Sequence, residues 1–148
     1  ERSPAMDAAA TLAAALAEGW GGPILHARRV ALGVSQRDMA EPLGVRRLTL
    51  SEIETGRRTP GQRLANALAT LVTTWEALQD AAVVELCQQP PGDQGRAVLW
   101  TYRTAEAYWD ADQQAAHLQV PAAVHQVAAG RAWRSLAEAG VLAEILHR

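Results

Sequence analysis

Lysine is absent: all 14 basic side chains of this chain are arginine. Alanine is abundant, and the pairing of the two reads as the base-composition bias of a GC-rich genome, with no functional content. Cys87 is the one cysteine. A single thiol excludes an internal disulfide and a cysteine-rich metal site, and it suits a reducing cytoplasm. No apolar run approaches the roughly 20 residues that a membrane helix requires. The alanine-rich start lacks the basic flank of a signal peptide and carries Asp7 and Glu18. Residues 1–5, before Met6, read as vector-derived, with Met6 the natural start. Phosphate-loop and hydrolase motifs are missing. His117 and His125 stand far apart with no third ligand near them, so no metal is expected. Glu106, Asp110 and Asp112 fall in a predicted polar loop, where carboxylates are simply solvated. No cofactor and no enzymatic activity are therefore expected.

What is present is a packed-core composition with an uneven charge. Apolar residues make up 49% of the 148, which excludes whole-chain disorder and allows one domain or two small ones. The formal net charge of −2 hides a polarity. Residues 26–63 hold eight arginines against four acids, a local +4, and residues 64–148 hold five against nine, a local −4. A basic island on an acidic chain points to one face that meets a polyanion.

Glycine, proline and capping residues divide the chain. Asp7 can cap a short helix over about 8–18. "GWGGP" breaks it, and Pro23 suits the first turn of a helix to about Leu32, ended by Gly33. Ser35 and Asp38 have capping-box spacing for a helix to about Leu43. Gly44 supplies a turn, and a further helix runs from about Arg47 to Thr55, stopped by Gly56. Thr59-Pro60 starts the next, with Gln62 three after Thr59. Its apolar stripe through Leu64, Leu68, Leu71, Val72, Trp75, Leu78 and Ala82 either continues to Cys87 or restarts at Thr73, whose partner three on is Glu76.

"QQPPGDQG" reads as a linker, so the expected organisation is an N-terminal helix over 6–22, a domain over 23–88, a linker over 89–95 and a second domain over 96–148. In that tail "AVLWTY" and "VLAEIL" read as strands. Thr104 can cap a short helix through Trp109, and Pro121 can open a longer one to about Ala139. The tail is thus a β-α-α-β ribbon backed by helices. A second helix-turn-helix is the alternative, since "AAHLQVPAAVHQVAAGR" echoes the earlier "MAEPLGVRRLTLSEIETGR". The echo is one residue short between Val120 and Gly130, and most of its second helix lacks charged or amide side chains. The fold class is mainly α, a helix-turn-helix bundle with a small α+β or helical tail.

Two short helices joined by a glycine turn form a unit that places one helix in the major groove of DNA. Ala40 is small where the helices approach, and Gly44 tolerates a left-handed backbone. Met39, Leu43, Val45, Leu50 and Ile53 face inward. Arg47, Leu48, Thr49, Ser51 and Glu52 then lie outward or near the exposed first turn.

Residues 24–72 resemble the helix-turn-helix domain of lambda-repressor-like (XRE family) transcriptional regulators. The resemblance rests on "RRVALGVSQRDMAEPLGV" and "LTLSEIETGRRTP" and covers about a third of the chain. It implies that Gln36 bonds a phosphate and braces the reading helix. It further implies that Arg47, Leu48 and Glu52 meet base edges flanked by Thr49 and Ser51, and that Arg57 and Arg58 touch phosphate. Arg29 and Glu54 match a structural ion pair. Two departures stand out. Arg46 replaces the usual Ser or Thr cap while adding a cation near the DNA backbone. Pro42 removes a hydrogen bond to Asp38 and predicts a kink or early end of its helix.

The expected function is a DNA-binding regulator, a repressor acting as a homodimer on a two-fold operator in the cytoplasm. The stripe through Leu71, Trp75 and Leu78 and the tail ribbon are the surfaces offered for dimerisation. The alternative is an antitoxin-type or phage-immunity regulator whose tail binds a partner protein. Double-stranded DNA is the expected partner in both, and no membrane is involved.

Overall fold

The computed structural model describes residues 4–92 and 94–148. Residues 1–3 of the expected vector-derived stretch lie outside the described residues. The fold is mainly helical with one two-stranded sheet among the described residues. Two compact units divide the chain, one up to Glu76 and the other from Ala77 on.

In the first unit, α1 spans Pro4–Glu18, α2 Gly22–Leu32, α3 Gln36–Ala40 and α4 Arg47–Glu54. Helix α1 begins upstream of the expected start, so Asp7 lies within its first turn and does not cap it. Pro23 occupies the first turn of α2, and Gly33 closes that helix in the left-handed region at φ 83°. Ser35 caps α3 as expected, its Oγ accepting from Asp38 N at 3.1 Å. Helix α3 stops at Ala40 and tightens into a 3-10 turn over Glu41–Leu43. Pro42 has no N–H for Asp38, and the tighter turn does not need one. Leu12, Leu16, Leu25, Leu32, Met39, Leu50, Ile53 and Leu68 are buried. Gly22 allows the closest approach: a Cβ there would sit 2.4 Å from Ile53 O and 2.7 Å from Glu54 O, so α2 starts directly against the end of α4.

Helix α5 is one element, Gln62–Cys87, without a restart at Thr73. The spacing that mimicked a cap there serves Arg28. Its Nη2 donates to Thr73 Oγ1 at 3.1 Å, and its guanidinium pairs with Glu76. The helix starts after Gly61, whose carbonyl accepts from Ala65 N, and not at Thr59. Trp75 is fully buried, which removes it from the surfaces open to a partner.

The unit boundary falls inside α5, whereas the sequence places it at residues 89–95. The reason is burial: Ala82 and Leu86 of α5 belong to the second unit's core with Leu99, Ala128, Ala129 and Ala132. In that unit β1 spans Ala97–Thr101, α6 Ala105–Ala111, α7 Gln113–His117, α8 Ala122–Glu138 and β2 Ala143–His147. The strands pair in parallel, Ala97 beside Ala143 and Thr101 beside His147. Parallel neighbours need a long crossover, and the three helices supply it. Strand β2 starts two residues later than expected because Val141 N bonds Leu136 O at 2.8 Å in the closing turn of α8. Helix α7 replaces part of the expected loop. Asp112 caps it, its Oδ1 accepting from Gln114 N and Ala115 N, while Glu106 and Asp110 lie on α6.

The joint between α7 and α8 repeats the joint between α3 and α4 at a constant offset. Gly44 N bonds Glu41 O and Val45 N bonds Ala40 O; Gln119 N bonds Ala116 O and Val120 N bonds Ala115 O. Gly44 and Gln119 share the left-handed backbone, at φ 66° and 53°. The start of α8 carries no arginine, and Ala122 and Val124 are buried there.

Candidate nucleic-acid interface

Helix α4 is eight residues long and amphipathic: Leu50, Ile53 and Glu54 are buried, while Arg46, Arg47 and Leu48 are exposed. Thr49, Ser51 and Glu52 are half-buried beside them. Arg46 occupies the N-cap with extended backbone and no side-chain cap bond. The first N–H groups of α4 therefore have no side-chain acceptor, and a helix start in that state favours an anion.

One buried carboxylate anchors the reading helix from below. Arg29 Nε and Nη2 donate to Glu54 at 2.7 and 2.9 Å, and Arg29 Nη1 donates to Val34 O at 2.9 Å. The planar guanidinium thereby fixes the end of α4 and the turn after α2 at once. Both residues are below 9% exposed, 8% for Arg29 and 6% for Glu54. Burial alone would raise the Glu54 carboxyl. Hydrogen bonds from Arg29, His26 and Gln36, with the Arg29 charge, outweigh it and hold the group below the usual carboxylate range.

The network continues to the exposed face. Gln36 Nε2 donates to Glu54 Oε1 at 3.2 Å, and Arg47 Nη1 donates to Gln36 Oε1 at 3.2 Å. A chain of bonds thus runs from buried Arg29 through Glu54 and Gln36 to Arg47. Sequence reasoning missed His26, whose Nδ1 lies 2.8 Å from Glu54 Oε1. Its place one turn before Arg29 on α2 was the available signal.

The loop after α4 folds back on it. Gly56 takes φ 79°, and the N–H groups of Arg57 and Arg58 both bond Glu52 O. Arg58 Nε pairs with Glu52 Oε2 at 2.8 Å. Two residues to which the resemblance gave separate DNA contacts are therefore tied to each other in the free chain. Arg57 is exposed without a carboxylate partner among the described residues, as are Arg37, Arg46 and Arg63. Of the basic island, Arg28, Arg29 and Arg58 are neutralised locally; the rest present cations to solvent.

Among the described residues no three His, Cys, Asp or Glu side chains converge as metal ligands, and no helix is long and apolar enough to cross a membrane. A helix-turn-helix family model matches residues 25–71. No curated protein and no solved structure shows significant similarity to the chain.

Proposed function

Residues 25–71 are a helix-turn-helix domain of the lambda-repressor-like kind, and from that premise we propose a sequence-specific transcriptional repressor that binds a two-fold operator as a homodimer in the cytoplasm. The observation that supports it best is the exposed first turn of α4, with Arg46, Arg47 and Leu48 outward and Arg47 tethered through Gln36 to a buried ion pair. A side chain anchored at its base loses less freedom on docking.

In this reading Arg47 forks onto guanine O6 and N7, Leu48 meets a thymine methyl, and Glu52 accepts from a cytosine amino group. Thr49 and Ser51 flank these contacts. Arg46 and Arg57 hold phosphates. Gln36 and Arg58 do the same after exchanging their present partners, Arg47 and Glu52. One reading helix covers few base pairs, so two copies about 10 bp apart supply the operator length. The second unit dimerises. A regulator that instead holds a partner protein through the second unit is the other reading, favoured by the exposed apolar side chains Val84, Leu142 and Leu146.

The test is binding of the full chain to selected and scrambled duplexes across a salt series. The expected result is a selected site bound at least a hundredfold tighter, with log K falling about 0.9 per phosphate neutralised. A flat salt response refutes nucleic-acid binding. A steep response without sequence preference refutes the regulator.

A further inference from the structure

The two-stranded sheet has an unfinished edge. By the ladder register, the N–H and C=O groups of Ala143, Ile145 and His147 point away from β1, since Leu142 O and Arg148 N bond β1 on the other side. Trp133 Nε1 covers the first of these, donating to Ala143 O at 2.8 Å. Ile145 and His147 keep theirs without a partner among the described residues. None of the usual guards is present, neither proline nor bulge along the edge. The sheet is also open on one face. Ala143 and Ile145 pack into the core. Val98, Trp100, Glu144 and Leu146 lie on the opposite face, where Trp100 is 38% and Leu146 37% exposed. A parallel pair open on one face is unusual, because parallel sheets are ordinarily covered on both, and two strands alone are marginal.

We propose that β2 pairs with β2 of a second copy, antiparallel about Leu146, to make a continuous four-stranded sheet. The inference rests on the two-fold reading above. A strand can meet its own copy in few registers. Centring on Ile145 would use Ala143, whose carbonyl already serves Trp133, and would set Glu144 against Leu146 of the other copy. Centring on Leu146 uses only the free groups. Ile145 and His147 then exchange N–H···O bonds with His147 and Ile145 of the other copy, making four backbone bonds. On the open face Leu146 meets its own counterpart, and Glu144 falls opposite Arg148 of the other copy, twice by symmetry. That charge match selects a second copy of this chain over an unrelated strand. Arg148 stands over the Trp100 ring at 4.6 Å, already on that face. Glu144 has only a loose 3.9 Å contact with Arg96 to exchange. The exposed apolar groups beside the edge, Trp133 and Leu142 among them, add the area that four backbone bonds alone would lack.

Cysteine scanning tests the register in the full chain with Cys87→Ala. Leu146 faces its counterpart at a non-hydrogen-bonded position, where Cα atoms approach to about 4.5 Å, so Leu146→Cys should oxidise to a covalent dimer and Ile145→Cys should not. In sedimentation, His147→Pro removes an outward donor while its side chain is exposed, and should raise the dimer dissociation constant. Glu144→Arg should raise it about tenfold through the two affected pairs, and adding Arg148→Glu should restore it. A dimer that crosslinks elsewhere and ignores the charge swap overturns the β2 edge while leaving the two-fold reading intact. A chain that is monomeric at all concentrations, free and on DNA, overturns both. So does a stable complex with an unrelated protein that excludes self-association.

Discussion

Replacing Glu54 with glutamine is the sharpest test of how the reading helix is held. The substitution keeps shape and removes one charge. Arg29 stays behind at 8% exposure, its Nε and Nη2 facing a neutral amide that cannot accept from both as the carboxylate did. Breaking a buried pair in this way costs about 3–5 kcal/mol, a large share of the roughly 5–15 kcal/mol available to a domain. With a urea slope of about 2 kcal/mol/M, the midpoint should fall by about 2 M. Urea denaturation followed by circular dichroism reads this directly. Replacing both partners, Arg29→Met with Glu54→Leu, should give a chain more stable than Glu54→Gln, because no unpaired charge remains. The pH profile is a second readout. The folded Glu54 carboxyl is held below its ordinary range, so its contribution is present above the unfolded value near 4.3 and is lost as pH falls through the lowered folded value. Wild type should therefore lose more stability on acidification than Glu54→Gln. A midpoint shift below about 0.5 M, or parallel acid profiles, would refute the view that this pair sits in a desolvated site and holds α4.

Arg47→Ala should cost about 1–3 kcal/mol on the preferred duplex and much less on a scrambled one, whereas Arg57→Ala should weaken both alike and lower the salt slope by about one unit in quantitative binding assays. Arg58→Ala should behave like Arg57→Ala with a smaller change of slope, because it also frees the Glu52 carboxylate, now 2.8 Å away. Gly22→Ala should destabilise by about 1–3 kcal/mol in thermal melts, since the added methyl meets backbone at 2.4 Å and α2 must move off α4. His125 is held neutral by burial, partly opposed by Asp112, which lowers its pKa; its contribution is present above the unfolded value near 6.5 and is lost as pH falls through the lowered folded value, so His125→Gln should flatten that acid limb in melts between pH 7.5 and 5.

Punctuation was the most legible part of the sequence. Ser35, Gly33, Gly44, Gly56 and Thr104 mark helix ends through backbone chemistry that is local, and local rules survive folding. Pro42 announced the shortened α3 for the same reason. The Arg29–Glu54 pair was legible only through the family pattern, because 25 residues separate its members. What failed was whatever depends on distant partners. Thr73 and Glu76 look like a cap and instead hold Arg28. The linker composition of 89–95 suggested a boundary, but the buried face of α5 had already passed from one core to the other. Helix α7 is five residues long and depends on the Asp112 cap, too short for periodicity to reveal. Strand orientation is invisible to alternation, which reads the same in either direction.

The repeated joint, Gly44-Val45 and Gln119-Val120, carries a lesson about searching by shape. The two share hydrogen bonds and a left-handed residue, so a template built on backbone atoms alone would return this chain twice. Only after the first joint do arginines stand outward; after the second, Ala122 and Val124 turn into the interior. The hinge is generic hardware, reusable wherever two helices must meet at that angle. Swapping the six residues that follow each joint would leave both hinges standing and abolish recognition at the first.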